Sequence, residues 1–299
     1  MHASSVRFRL VRVFTIVGLG PLFVSTKVTA IPVVYGPAAA ASHKPTKAEV
    51  AVHDRLRAFA NKKLKSGLPP ELAPVYSEAL AAMDEEKWTH AVELLDMVAE
   101  KRPEAAPVLV NRAVCHLILG HEPDAIFDLE HAATVEPSLR ELVSGTLAEA
   151  YLRRGTIEAG HAESRVARED LGKATEFKTT KARAFAQLAW LDLQDLDLNA
   201  CLEHATRAIA IDGRLGDAYA NRGACRFGLG HSREALADLT RAVTMAPESP
   251  KYRVSRAAIF RKVGDCINAI GDAEKAVRLD RSFAAEAEDA VAGCRNRRQ

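Results

Sequence analysis

Arg112, Arg222 and Arg256 are each followed sixteen residues later by an aspartate, at Asp128, Asp238 and Asp272. A guanidinium and a carboxylate recurring at one interval suit a structural ion pair between neighbouring elements, because the planar fork meets a carboxylate edge in two-pronged geometry. At the same interval Leu188 leads to His204, where both charges are absent, so base and acid come and go together. The ten histidines contain no two-histidine, one-glutamate helix motif of the zinc-protease kind, and no cysteine pair has zinc-ribbon spacing. No metal site is expected. His121 and His231 fall in matching segments and read as solvated turn residues. No phosphate-cradling glycine loop and no serine nucleophile elbow is present, so no catalytic residue, cofactor or enzymatic activity is expected.

The elements that must position these residues are repeated. From Gly216 to Ser249 the chain reads as one helical hairpin. Tyr219, Arg222, Gly223 and Arg226 sit at helical spacing, Gly230 breaks the run, and Ala235, Leu239, Ala242 and Val243 form a second apolar face that Pro247 closes. The segment from Ala106 superposes on it. Asn111, Arg112, Gly120, His121, Ala125, Asp128, Leu129, Ala132 and Pro137 match Asn221, Arg222, Gly230, His231, Ala235, Asp238, Leu239, Ala242 and Pro247. A hydrophobic fraction of 48% with only 6% aromatic residues suits close packing of helices through small side chains, and the expected class is all-α.

A period of about 34 residues with small, aromatic and proline positions resembles the tetratricopeptide repeat family, whose hairpins stack into a right-handed superhelical solenoid. On that reading there are six hairpins, at 72–105, 106–139, 141–174, 182–215, 216–249 and 250–283. The third is degenerate: Leu147, Ala148, Tyr151 and Gly155 mark its first helix, Gly160 stands for the usual alanine of its second, and Thr175 to Lys181 reads as an inserted loop. Residues 46–71 are expected to form an N-terminal capping helix with a basic face, and 284–299 a C-terminal capping helix with a basic tail.

The five cysteines, Cys115, Cys201, Cys225, Cys266 and Cys294, are odd in number, which leaves at least one thiol unpaired in an oxidising compartment. Cys115 and Cys225 match in the repeat and read as buried small apolar residues. The alternative is a Cys201–Cys225 bridge, since the second helix of the fourth hairpin should pack on the first helix of the fifth.

The chain opens like an address. Residues 1–12 are basic and polar, Val13 to Val24 is an uncharged apolar run, and Val28-Thr29-Ala30 offers the small residues that precede a signal-peptidase cut. Export is expected, to a periplasmic or extracellular space, with 1–30 as signal peptide and 31–45 as a flexible linker. The alternative is a membrane anchor formed by an uncleaved N-terminal segment. Arg7, Arg9, Arg12 and Lys27 are the only charges in 1–30, so removing these four cations from a net +2 leaves −2, which argues against a nucleic-acid partner.

Resemblance to the family implies a scaffold or adaptor that binds a peptide, a helix or a protein tail in a concave groove lined by the first helices. The implied lining is Leu80, Met83, Val110, Asn111, Val114, Leu117, Leu152, Trp190, Leu193, Asn221, Phe227 and Lys251. The lining is mostly apolar, with Trp190 as its expected anchor. The family's carboxylate-clamp variety is matched at Asn221 and Lys251 but not at Ala186 and Trp190, which stand where a lysine and an asparagine are expected. A self-assembling homo-oligomeric solenoid without a peptide ligand is the second reading.

Overall fold

The computed structural model describes residues 68–160 and 164–294. The expected signal peptide, linker, most of the N-terminal cap and the last five residues of the basic tail lie outside these residues. Thirteen α-helices are present among the described residues, with no strand. They are α1 (Ala73–Asp84), α2 (Trp88–Lys101), α3 (Ala106–Leu119), α4 (Glu122–Val135), α5 (Arg140–Gly160), α6 (Ser164–Ala174), α7 (Lys181–Gln194), α8 (Leu198–Ile211), α9 (Gly216–Gly228), α10 (Ser232–Met245), α11 (Pro250–Lys262), α12 (Cys266–Leu279) and α13 (Ala284–Ala290). No helix among the described residues is long and apolar enough to cross a membrane.

Two compact units divide within α7, between Gln187 and Leu188. In the first, residues 68–187, each of α1 to α6 packs on its neighbours in sequence. Its first core joins Tyr76, Ala79 and Met83 of α1, Ala91, Leu95 and Val98 of α2, and Val108, Val114 and Cys115 of α3. In the second unit, residues 188–294, α8 to α12 also pack consecutively, and α13 lies on both α11 and α12. Its cores are rich in alanine: Ala220, Ala224, Ala235 and Ala242 surround Leu239, and Ala269, Ala273 and Ala276 meet Ala287 and Ala290 of α13. Small residues let the helix axes approach. A methyl group on Gly223 would sit 3.1 Å from the Ala235 carbonyl oxygen, and Ala79, Ala113, Ala189 and Ala257 fill the matching place elsewhere, all fully buried.

Helix starts follow from proline and acid. Pro74, Pro107, Pro123 and Pro250 occupy first turns, where the missing N–H has no intrahelical partner to lose. Asp197 and Asp265 cap α8 and α12 by accepting from the Ala200 and Asn268 N–H groups.

The third hairpin differs from its sequence reading. Its first helix, α5, runs 21 residues to Gly160, which therefore belongs to the first helix and does not stand for the alanine of the second. The alanine of the second helix is Ala167, fully buried against Gly155, while Leu171 packs there too. Thr175 to Lys181 is not an insertion. Arg154 precedes Leu188 by the ordinary 34 residues, whereas Arg112 precedes Arg154 by 42, so the extra residues lengthen the front of α5.

Two disulfides are present, Cys201–Cys225 between α8 and α9 and Cys266–Cys294 between the start of α12 and the turns that follow α13. Cys115 is buried. The first bridge corrects the expectation that Cys225 serves only as a small apolar residue. The second ties the last helix to the hairpin it covers.

Candidate functional site

Each first helix presents a charged edge to its own second helix. Arg112 donates to Asp128 through Nε and Nη2 at 2.8 and 2.6 Å, Arg222 to Asp238 at 2.9 and 2.7 Å, and Arg256 to Asp272 at 2.6 and 2.9 Å. All three carboxylates are buried, and the guanidiniums are about one-sixth exposed at 16–17%. The hydrogen bond to Asp128 is the largest influence on Arg112 and holds its pKa above the ordinary arginine value against the opposing effect of burial. The arginines also reach backward: Arg112 Nη1 donates to Asp96, and Arg256 Nη1 to Thr240, both on the second helix of the preceding hairpin.

Two members of this series escaped the sequence reading. Arg154 pairs with Asp170 at 2.5 and 2.7 Å, so the degenerate third hairpin keeps the device. The signal was the same sixteen-residue interval. In the fourth hairpin the polarity is reversed: Asp192 of α7 and His204 of α8 lie 2.6 Å apart, at the positions that Arg226 and Asp238 occupy in the fifth. Between hairpins the pairs recur at one repeat length. Arg183 meets Glu149 at 2.6 Å and Lys251 meets Asp217 at 2.5 Å, each 34 residues apart, while Tyr252 Oη donates to Asp217 and Asn111 Nδ2 to Tyr76. Burial, followed by the Asp217 charge and hydrogen bond, pushes the Tyr252 phenol well above the ordinary tyrosine value.

The expected open apolar lining is largely core. Met83, Val110, Asn111, Val114, Leu152, Asn221 and Phe227 are buried, as are Leu117 and Leu193. Met83 and Val114 pack with Tyr76 in one cluster, and Phe227 and Leu193 with Tyr252 and Ile259 in another, so neighbouring hairpins use these side chains to join one another. Leu80, Trp190 and Lys251 are half-buried. Lys251 is held by Asp217 and lies 5.0 Å over the Tyr252 ring.

No family model matches the chain. A 203-residue stretch is 24% identical to Hsp70-Hsp90 organizing protein 2 of Arabidopsis thaliana, covering 68% of this chain and 35% of that protein. Over 83 residues the chain is 35% identical to the TPR repeat-containing thioredoxin TTL4 of the same plant, covering 28% of this chain and 12% of the relative. The chain thus spans about a third or less of the length of these curated relatives. Its structure resembles the C-terminal part of a TPR repeat-containing protein from Cytophaga hutchinsonii, with a TM-score of 0.51 and 14% identity over 74% of this chain and 85% of that one. The chain has the fold of a tetratricopeptide repeat (TPR) array. Within TPR geometry the arginine–aspartate pairs fix first helix to second, and the pairs 34 residues apart fix one repeat to the next.

Proposed function

We propose that this TPR array is an exported scaffold that holds a peptide, helix or tail of another protein against the first helices of its repeats. The observation that carries the reading is Trp190. It remains half-buried on α7 beside the buried Leu188 and Leu191, and large aromatics dominate interface energetics. Leu80 is a second partly open apolar side chain on a first helix. A relative named for organizing Hsp70 and Hsp90 supports an adaptor role in kind. A clamp on an acidic chain end finds no support at Lys251, whose ammonium is engaged by Asp217. A nucleic-acid face finds none in the arginines, since the first-helix guanidiniums at 112, 154, 222 and 256 are each neutralised by an aspartate.

Export is supported by the basic, apolar and small-residue succession of residues 1–30 and by two disulfides, which persist in oxidising compartments. Self-association is the second reading, favoured by the 78% exposed Ile267 and the 65% exposed Phe127 on second helices. The test is affinity of the native chain and of Trp190→Ala for a partner cross-linked and recovered from the native compartment. Loss of affinity in a variant with unchanged helical circular dichroism is the expected result. Unchanged affinity overturns first-helix binding.

A further inference from the structure

The turn between α3 and α4 gathers three side chains of metal-ligating type. His116 on the last turn of α3, His121 at the cap of α4 and Asp124 in the first turn of α4 each offer one ligand atom, and these atoms lie within 4.8 Å of one another. The backbone makes the gathering. Gly120 in the left-handed region, with a φ of 79°, turns the chain sharply, and the His121 N–H donates to the His116 carbonyl at 2.8 Å. Two residues five apart in sequence thereby face one space, their rings 5.7 Å apart and tilted rather than stacked.

His116 also carries an unmet hydrogen-bonding need. Nδ1 of His116 is buried and finds no hydrogen-bond partner among the described residues. A buried polar atom left unsatisfied destabilises the fold, and a bound cation or a water held by it removes that cost. The matching turn of the fifth hairpin has a different use. Arg226 occupies the place of His116 and sends Nη1 to Asp238 at 2.7 Å, so a fixed cation stands where a ligand would be needed.

We propose that His116, His121 and Asp124 form a surface site for a divalent transition metal, zinc above others, with three protein ligands and a fourth position open to solvent. Two imidazoles and one carboxylate suit zinc, whereas calcium and magnesium take oxygen ligands. Tetrahedral coordination at the usual zinc–nitrogen length places ligand atoms about 3.3 Å apart. His121 and Asp124 are exposed and close the remaining gap by rotamer change. The metal clips the end of α3 to the start of α4 and stabilises that hairpin by mass action.

The test is calorimetric titration of the untagged chain, stripped with chelator, with zinc chloride, alongside melting with and without zinc and the visible spectrum with cobalt. The expected result is a binding event of one zinc per chain, a raised melting temperature and the intense cobalt absorption of a low-coordinate site. His121→Ala and Asp124→Asn, both on exposed side chains, weaken binding at least about tenfold, since losing even an outer-shell partner commonly costs that much. His116→Arg, which copies the residue of the fifth hairpin, abolishes the event while the array still melts cooperatively. His231→Ala leaves it intact. A folded native chain without a one-to-one event, or an affinity that His121→Ala does not change, overturns the site.

Discussion

The second and fifth hairpins share backbone, turn and ion pair, yet they distribute charge differently. In the fifth, Asp238 accepts from two guanidiniums of its own first helix, Arg222 and Arg226, and is 5% exposed. In the second, Asp128 accepts among the described residues from Arg112 alone, while Arg112 also reaches Asp96, and His116 turns to the α3–α4 corner. The seams differ as well. Asp217 binds Lys251 and Tyr252 of the next hairpin, whereas its counterpart in the second is Pro107, which carries no polar side-chain atom. A repeat therefore conserves geometry through its small and turn residues, and the polar positions around that geometry are where one hairpin acquires an ability that another lacks.

The largest expected effect strikes the shared carboxylate. Asp238→Ala leaves two partly buried guanidiniums facing each other without a counter-charge, and breaking a buried pair from one side costs about 3 kcal/mol or more. Asp128→Ala removes both hydrogen bonds of one pair, but the guanidinium keeps Asp96 as counter-charge, and the loss is expected to be nearer about 2 kcal/mol. Thermal melts of the two variants should separate in that order. Equal losses, or a greater one for Asp128, would erase the proposed difference between the hairpins. Replacing Arg222, Arg226 and Asp238 together by apolar residues of similar size is expected to cost less than Asp238→Ala alone, because no buried charge is stranded.

The seam supplies the next effect, through pH. Burial and Asp217 raise the Tyr252 phenol above its unfolded value of about 10, so the neutral form is favoured in the folded chain. The contribution is complete below about pH 10 and is lost as pH rises further, because the unfolded chain releases its proton first, at about 1.4 kcal/mol per pH unit. Tyr151, raised chiefly by burial and then by Glu130, adds a component of the same sign. Tyr252→Phe should make the alkaline loss of stability shallower without abolishing it. An unchanged slope in urea melts between pH 10 and 11 would separate the seam from the tyrosine.

How far the sequence carried the fold depends on which signals are local. The nine matched residues of the second and fifth segments contain the turn glycine, the buried alanines and the ion pair, so the hairpin was readable from spacing. The third is misplaced at Gly160 because a glycine suits both the small position of a second helix and the last turn of a lengthened first one, and spacing alone does not separate the two. The interval from Arg154 to Asp170 carried the right register. The first-helix lining was harder to place. Whether Met83, Val114 or Phe227 faces a groove or the adjoining hairpin depends on how closely neighbouring repeats approach, which small residues on other helices determine. The His116, His121 and Asp124 grouping was invisible to helix-by-helix motif reading, since its members straddle a turn whose left-handed glycine folds them together.

The smallest effect tests whether the two hairpins share a backbone while differing in side chains. Gly120 and Gly230 have φ values of 79° and 89°, and a Cβ at either would meet nothing within 4 Å, so only conformation requires glycine there. Alanine in the left-handed region costs about 1–2 kcal/mol in backbone strain, offset in part by the lower entropy of the unfolded chain. Gly120→Ala and Gly230→Ala are accordingly expected to destabilise by the same amount, roughly 1 kcal/mol, despite the different chemistry beside them. The fourth hairpin makes the converse change available. Leu196 occupies the matching turn with a φ of 63°, so a branched side chain already bears the strain that glycine avoids. Leu196→Gly relieves it, loses some packing because the side chain is half-buried, and pays unfolded-state entropy, for a net change expected within about 0.5 kcal/mol of zero. Melting temperatures of the three variants decide the matter: two matched losses and one near-neutral change place the turn under backbone control, whereas unequal glycine losses would mean that His116 or Arg226 shapes its own corner.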